Sequence, residues 1–191
     1  MVLKVVPYGT PVLRQKGLKV ESITPEIKNF AQDLLETMKD AHGVGLAAQQ
    51  VGRALQMAVV DVRGITDRPS TLQLKGKPAD VDAFMPLVLI NPQIEAVADP
   101  VEGPEGCLSF PEIYAPVCRP ESIEVKAQNE KGESLEFRCG GLLARAIQHE
   151  YDHLQGILFI DRMTRKARSE VQDEIDDLQA KTKAALKRKS R

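Results

Sequence analysis

The stretch QHEYDHLQG, Gln148 to Gly156, decides how the rest of this chain is read. It sets two histidines four residues apart with a glutamate beside the first, in a chain that has only three histidines. On a helix each residue turns about 100°, so His149 and His153 lie within about 40° of each other on one face. Two imidazoles one turn apart can share a metal ion. Glu150 is rotated enough to miss the metal yet close enough to touch a water bound to it, which is the HExxH arrangement of two ligands and a general base. The competing reading is an amphipathic helix with two incidental histidines, because so short a pattern also arises by chance.

Upstream of that stretch, Gly140-Gly141 breaks the preceding pattern, so the helix is expected to start near Leu142 and end at Gly156. Residues 122–128 and 133–138, joined by NEKGE, form an expected β-hairpin. Residues 56–62 (QMAVVDV) and 87–90 (LVLI) read as buried strands. The mostly polar 63–86 between them is long for a connection in a compact domain and is read as functional or mobile. Thr24-Pro25 opens a helix with apolar residues at Ile27, Phe30, Ala31, Leu34, Leu35 and Met38, and Gly43 is its expected stop. ILFID (157–161) reads as a short strand or extended segment. Residues 164–187 read as helix with a narrow apolar stripe at Val171, Ile175 and Leu178. The expected fold is α+β in a single domain, with antiparallel β-sheets around a central HExxH helix plus N-terminal and C-terminal helices. Within it, 1–163 form the catalytic part and 164–191 a C-terminal helix with a basic tail.

The chain's 191 residues are 42% hydrophobic and 28% charged, ordinary for a globular protein of one domain, and tryptophan is absent, so the core must be aliphatic. No run of about 18 apolar residues suggests a membrane span, and Met1 to Thr10 has no signal-peptide pattern. Three cysteines without disulfide-scaffold spacing point to a reducing, cytoplasmic setting. The net charge of −1 hides an asymmetry: residues 162–191 carry +5 and the remainder −6, and the last eleven residues, KTKAALKRKSR, hold six cations and no anion.

A catalytic metal site needs a third protein ligand and an open position. No His or Cys follows His153, and Asp161 and the acids of the tail are weak candidates. Upstream, Cys107 lies in a Gly/Pro-rich loop, VEGPEGCLSFPE, and its thiolate would complete a His-His-Cys site; the alternative is a buried small apolar residue. Cys118 and Cys139 are expected to take that structural role. A third stretch, GVGLAAQQ (Gly43 to Gln50), reads by itself as a tight turn followed by buried small residues. It becomes functional if Gln50 points an amide into the site.

Together, GVGLAAQQ, EGCLS and QHEYDHLQG, in that order, resemble the peptide deformylase family, whose three motifs they match without substitution. The resemblance extends over nearly the whole chain. It departs from the shorter bacterial members in the longer 63–86 connection and in Tyr114, which stands where many have an arginine. It implies that Cys107, His149 and His153 hold one divalent metal ion, Fe²⁺ by preference with Zn²⁺ or Ni²⁺ possible. It implies Glu150 as the general base, and the Gln50 amide and the Leu108 backbone N–H as donors to the oxyanion formed on an N-formyl-methionyl peptide.

Geometry extends the site. Leu142 and Ala146 share the His149 face and are expected to line a pocket for the methionine side chain with Val44 and Gly45. Arg145 falls near this face and is expected to keep its stem at the rim and its head in water. Glu105, Arg119 and Asp152 are expected to form a network orienting the Cys107 loop, against the alternative of solvated charge. The function so implied is hydrolytic removal of the formyl group from nascent chains, with formate released. The basic C-terminal helix is expected to dock on the ribosome by charge alone, without reading any nucleic-acid sequence. Two rivals remain: a metallopeptidase, opposed by the upstream cysteine and the Gln50 segment, and a non-catalytic ribosome-associated protein with a structural metal, opposed by having three ligands instead of four.

Overall fold

The computed structural model of the chain describes residues 1–189; Ser190 and Arg191, the end of the basic tail, lie outside the described residues. Helix α1 (Pro25–Asp40) begins where the side chain of Thr24 accepts the Ile27 N–H, and it buries Ile27, Phe30, Ala31, Leu34 and Met38. It ends before Gly43. His42 takes the left-handed conformation (φ 54°), and the Gly43 N–H donates to the Met38 carbonyl at 2.9 Å. Strand β1 (Gly45–Ala47) follows and runs into a 3-10 turn at Ala48–Val51. Strand β2 (Met57–Val60) is wholly buried, as its apolar run requires.

The 63–86 segment departs from expectation. It contains strands β3 (Ser70–Leu74) and β4 (Lys77–Pro78) and a short helix α2 (Val81–Phe84). Lys75 and Gly76 both have positive φ and make the tight turn between the strands. Only Leu72 and Leu74 carry the apolar alternation, so the pattern is too thin to read along the chain.

Strand β5 (Leu87–Ala96) is longer than LVLI alone suggests. Strands β6 (Pro100–Cys107) and β7 (Phe110–Pro120) then pair as a hairpin where the sequence suggested a loop. Its glycines and prolines disguised it. In β7 side chains alternate, so Val117 and Arg119 are buried while Cys118 points outward; the exposed thiol corrects the expectation of a buried one. Strands β8 (Ser122–Gln128) and β9 (Ser134–Gly140) form the expected hairpin and bury Cys139.

Among the described residues a seven-stranded antiparallel sheet runs in the order β1-β2-β5-β8-β9-β3-β4, beside the β6-β7 pair. Helix α3 (Gly141–Leu154) leaves β9 at a corner made by Gly141 (φ 67°), where a side chain would strike the Pro69 carbonyl. Twelve of its fourteen residues are buried, which makes it the centre of the molecule. One flank packs Leu143 and Ile147 against Val60, Leu89, Ile123 and Phe137 of the sheet. Segment 157–161 is no strand; Phe159–Asp161 form a 3-10 turn. The C-terminal helix is broken at Val171 into α4 (Arg165–Glu170) and α5 (Gln172–Lys189). Ile175 is buried and Val171 and Leu178 are half-buried against Tyr8, Leu13, Phe110 and Phe159, so the expected stripe does face the body. No helix among the described residues is long and apolar enough to cross a membrane.

Candidate active site

Helix α3 and the tip of the β6-β7 hairpin meet at three ligand atoms. Cys107, His149 and His153 each offer one, and all lie within 4.8 Å of one another. Cys107 Sγ is 3.3 Å from His153 Nε2. His149 Nδ1 is 3.1 Å from Glu105 Oε2, which leaves Nε2 to face the sulfur. One sulfur and two imidazoles gathered this closely form a donor set that would suit a borderline divalent cation. Beside them Glu150 is 4% exposed, and its Oε2 has no hydrogen-bond partner among the described residues. A buried carboxylate oxygen without a partner fits a site that takes up a further polar group.

Burial pushes the Glu150 carboxyl up to about 7, against the pull of His149 and Arg119. Burial likewise holds His153 well below the usual imidazole range, in the neutral form a ligand needs. For His149 burial also opposes charge, but Cys107 and Glu105 more than offset it and raise the group. Gly45 explains how Glu150 fits. A Cβ there would sit 2.3 Å from Glu150 Oε1, so a side chain at this point of β1 would push the carboxylate from its place.

Gln50 points inward: its Oε1 accepts the Ala47 N–H at 2.8 Å, and its Nε2 lies 3.5 Å from Cys107 Sγ. Leu108 lies in the hairpin turn, its side chain facing Gly43. A cavity of about 380 Å³ opens here, lined by Val44, Gly45, Gln50, Leu108, Leu142, Arg145, Ala146, His149 and Glu150 among others. The expected pocket residues are thus brought together.

The Glu105, Arg119 and Asp152 side chains do meet. Arg119 Nε and Nη2 donate to the two Glu105 oxygens at 2.5 and 2.9 Å, and Nη1 donates to Asp152 Oδ2 at 2.8 Å. These interactions hold Glu105 at about 2; burial alone would raise it, and the His149 and Arg119 side chains reverse that. Arg145 corrects the sequence reading. Its head is not in water: Nη1 donates to Glu105 Oε1 and the Val117 carbonyl, both at 2.8 Å, and Nη2 to the Val101 carbonyl at 2.9 Å. Gly103 makes room for it, since a Cβ there would come within 2.9 Å of Arg145 Nη2. The network also includes Arg162, whose Nη2 donates to Asp152 Oδ1 at 2.7 Å. Nothing in spacing announces Arg162, which reaches α3 from beyond the Phe159 turn. Arg68 and Tyr114 line the mouth and were likewise not singled out as site residues.

Comparison with known proteins follows this geometry. The model of the family described as polypeptide deformylase matches residues 2–169. The chain is 44% identical over 189 residues to a peptide deformylase of Opitutus terrae, covering 98% of both chains. It is 45% identical over 178 residues to one of Methylacidiphilum infernorum, covering 93% of each. A plant peptide deformylase crystal structure superposes with a TM-score of 0.83 at 36% identity, over 96% of this chain and 92% of that one.

Proposed function

This chain belongs to the polypeptide deformylase family, and from that premise we propose how its residues divide the work. The enzyme is a hydrolase that removes the N-formyl group from nascent polypeptides, and the family is metal-dependent. In our reading Cys107, His149 and His153 hold one divalent cation, Fe²⁺ natively, with Zn²⁺ or Ni²⁺ able to take its place. When bound, the ion supplies Lewis-acid activation of water and of the formyl oxygen.

The remaining steps fall to the protein. Glu150 takes a proton from the attacking water as its oxygen adds to the formyl carbon. The Gln50 side-chain amide and the Leu108 backbone N–H donate to the oxygen that gains charge. Glu150 then returns the proton to the leaving nitrogen, the C–N bond breaks, and formate and a free amine separate. Val44, Gly45, Leu142 and Ala146 hold the methionine side chain. Arg119, Asp152 and Arg145 act through Glu105, which orients His149. The single observation that carries this reading is the trio of ligand atoms within 4.8 Å, from two buried histidines and the half-buried Cys107, with the unpartnered Glu150 Oε2 beside it.

The test is formate release from formyl-Met-Ala-Ser by anaerobically prepared Fe²⁺ protein, set against release of free amino acids. Formate alone is expected. Amino acids alone would turn the assignment to a peptidase.

In the same reading the site works in the cytoplasm, residues 1–163 carry the chemistry, and 164–191 bring it to ribosomal RNA by counterion release. Exposed Lys181, Lys183 and Arg188 on α5 support this. Cutting the chain at Glu170 would also remove buried Ile175 and Thr182 and the Gln179 bond to the Tyr8 hydroxyl. A cut after Lys183 spares these. It should weaken co-sedimentation with ribosomes at low salt, and equal co-sedimentation of cut and full-length enzyme would reduce the tail to a solvated helix end.

A further inference from the structure

One cation at the mouth of the active site has no part in the proposed chemistry. Arg68 enters from the start of the 63–86 segment and lines the same cavity as Leu142 and Arg145. Its position is fixed by its neighbours. The Leu142 N–H donates to the Pro69 carbonyl at 3.1 Å and the Leu143 N–H to Ser70 Oγ at 3.0 Å. The first turn of α3 has no internal acceptor for these N–H groups, so the chain just after Arg68 is stapled to the helix that carries both histidines. The segment thereby holds one side chain at the entrance.

The Arg68 guanidinium is half-buried and donates through Nη2 to the Pro104 carbonyl at 3.2 Å. A guanidinium has five donors. Arg145, which lines the same cavity, and Arg119, which lies behind it, both donate to Glu105, and Arg119 also to Asp152, whereas Arg68 makes no ion pair among the described residues. Besides Glu150, which belongs to the proposed chemistry, two carboxyls at the cavity bear on what Arg68 could meet. Glu105 is engaged by Arg119, Arg145 and His149, and Glu112 is exposed on β7 with φ 63°.

Building on the deformylation reading, in which the formyl end lies at the Cys107–His149–His153 trio and the peptide must leave through this mouth, we infer that Arg68 is a specificity-determining residue: it receives a substrate carboxylate one or two residues beyond the formyl-methionine. An ion pair at a half-open site is worth a modest factor, roughly two- to fivefold. It acts on capture more than on bond breaking, so it appears in KM before kcat. Glu112 acts in the opposite sense.

The experiment measures kcat/KM for C-terminally amidated formyl-Met peptides, so that no terminal carboxylate competes. Glu, Gln or Lys is placed at the second residue in one series and at the third in another. The metal-loaded wild type should favour Glu over Gln at one of these positions and disfavour Lys, with the ratio shrinking as salt is raised. Arg68→Gln should bring the Glu/Gln ratio to about one, Arg68→Lys should keep part of the preference, and Glu112→Gln should increase it. A loss of the Pro104 bond alone would lower all substrates together and leave the ratio untouched. Equal handling of Glu and Gln at both positions, a preference for Lys, or an unchanged ratio in Arg68→Gln would overturn the proposal. Failure to release formate from any of the peptides would instead strike the deformylation reading beneath it.

Discussion

Helices α3 and α5 are both rich in charged residues, and the protein treats those charges in opposite ways. On α3, Arg145, His149, Glu150, Asp152 and His153 are all buried. On α5, Lys181 and Asp177 pair at 2.6 Å with 74% and 61% of their side chains exposed. A charge taken out of water must find partners or change its protonation, while a charge left in water is screened whatever it pairs with. The first helix therefore couples its charges to the site, and the second holds pairs such as Lys181–Asp177 in contact with solvent. The difference is one of burial rather than of residue type.

Four substitutions probe that contrast, from the largest expected effect to the smallest. Glu150→Gln keeps the shape of α3 but removes the proton acceptor. Turnover should fall by about 10²–10⁴ while metal content, measured by elemental analysis, stays at the wild-type level. Wild-type turnover would take Glu150 out of the reaction. Arg119→Ala leaves Glu105 and Asp152 buried with one partner fewer. Loss of one member of a buried ion pair costs about 3–5 kcal/mol; here Arg145 and Arg162 still serve the two acids, so chemical denaturation should show the lower end of that range. Metal affinity should drop about 10–100-fold, because His149 loses its held carboxylate. An unaltered metal affinity would show that Glu105 is positioned without Arg119.

On α5 the decisive burial is apolar. Ile175 is 1% exposed in the cluster with Tyr8, Leu13, Phe110 and Phe159. Ile175→Ala should cost about 2–4 kcal/mol by the same denaturation measurement, with turnover at permissive temperature little changed. A much smaller loss would mean that α5 is peripheral to the fold. Last, Lys181→Ala removes an exposed pair from that helix and should move stability by no more than a few tenths of a kcal/mol. A loss comparable to that of Arg119→Ala would erase the distinction between the two helices.

The legibility of the chain follows the same division. The Thr24 cap and amphipathic spacing placed α1, and the Gly140-Gly141 break together with Gly156 bounded α3, because these are local properties. The β6-β7 hairpin was not legible, because Gly103, Pro104, Gly106, Pro111 and Pro116 mimic a loop. Those glycines make room for side chains: Gly103 admits Arg145 from α3, and Gly106 lies against the ring of its cross-strand partner Tyr114. The 63–86 segment hid β3 for a related reason, since its stabilising partner, β9, lies more than sixty residues away.

By itself the sequence determined the chemical identity of the site: which side chains can ligate a metal, which can move a proton, and, through His149, Glu150 and His153, which of them share a helix face. Spacing within one turn is a covalent fact, so it survives any tertiary arrangement. Only the tertiary structure decided that Cys107 joins the two histidines, that Arg145 turns inward to Glu105 and away from water, that Cys118 is exposed, and that Arg68 stands at the entrance. Each of these depends on which strand or helix lies opposite, and a long-range contact is set by the packing of the whole core, which no short stretch of chain contains.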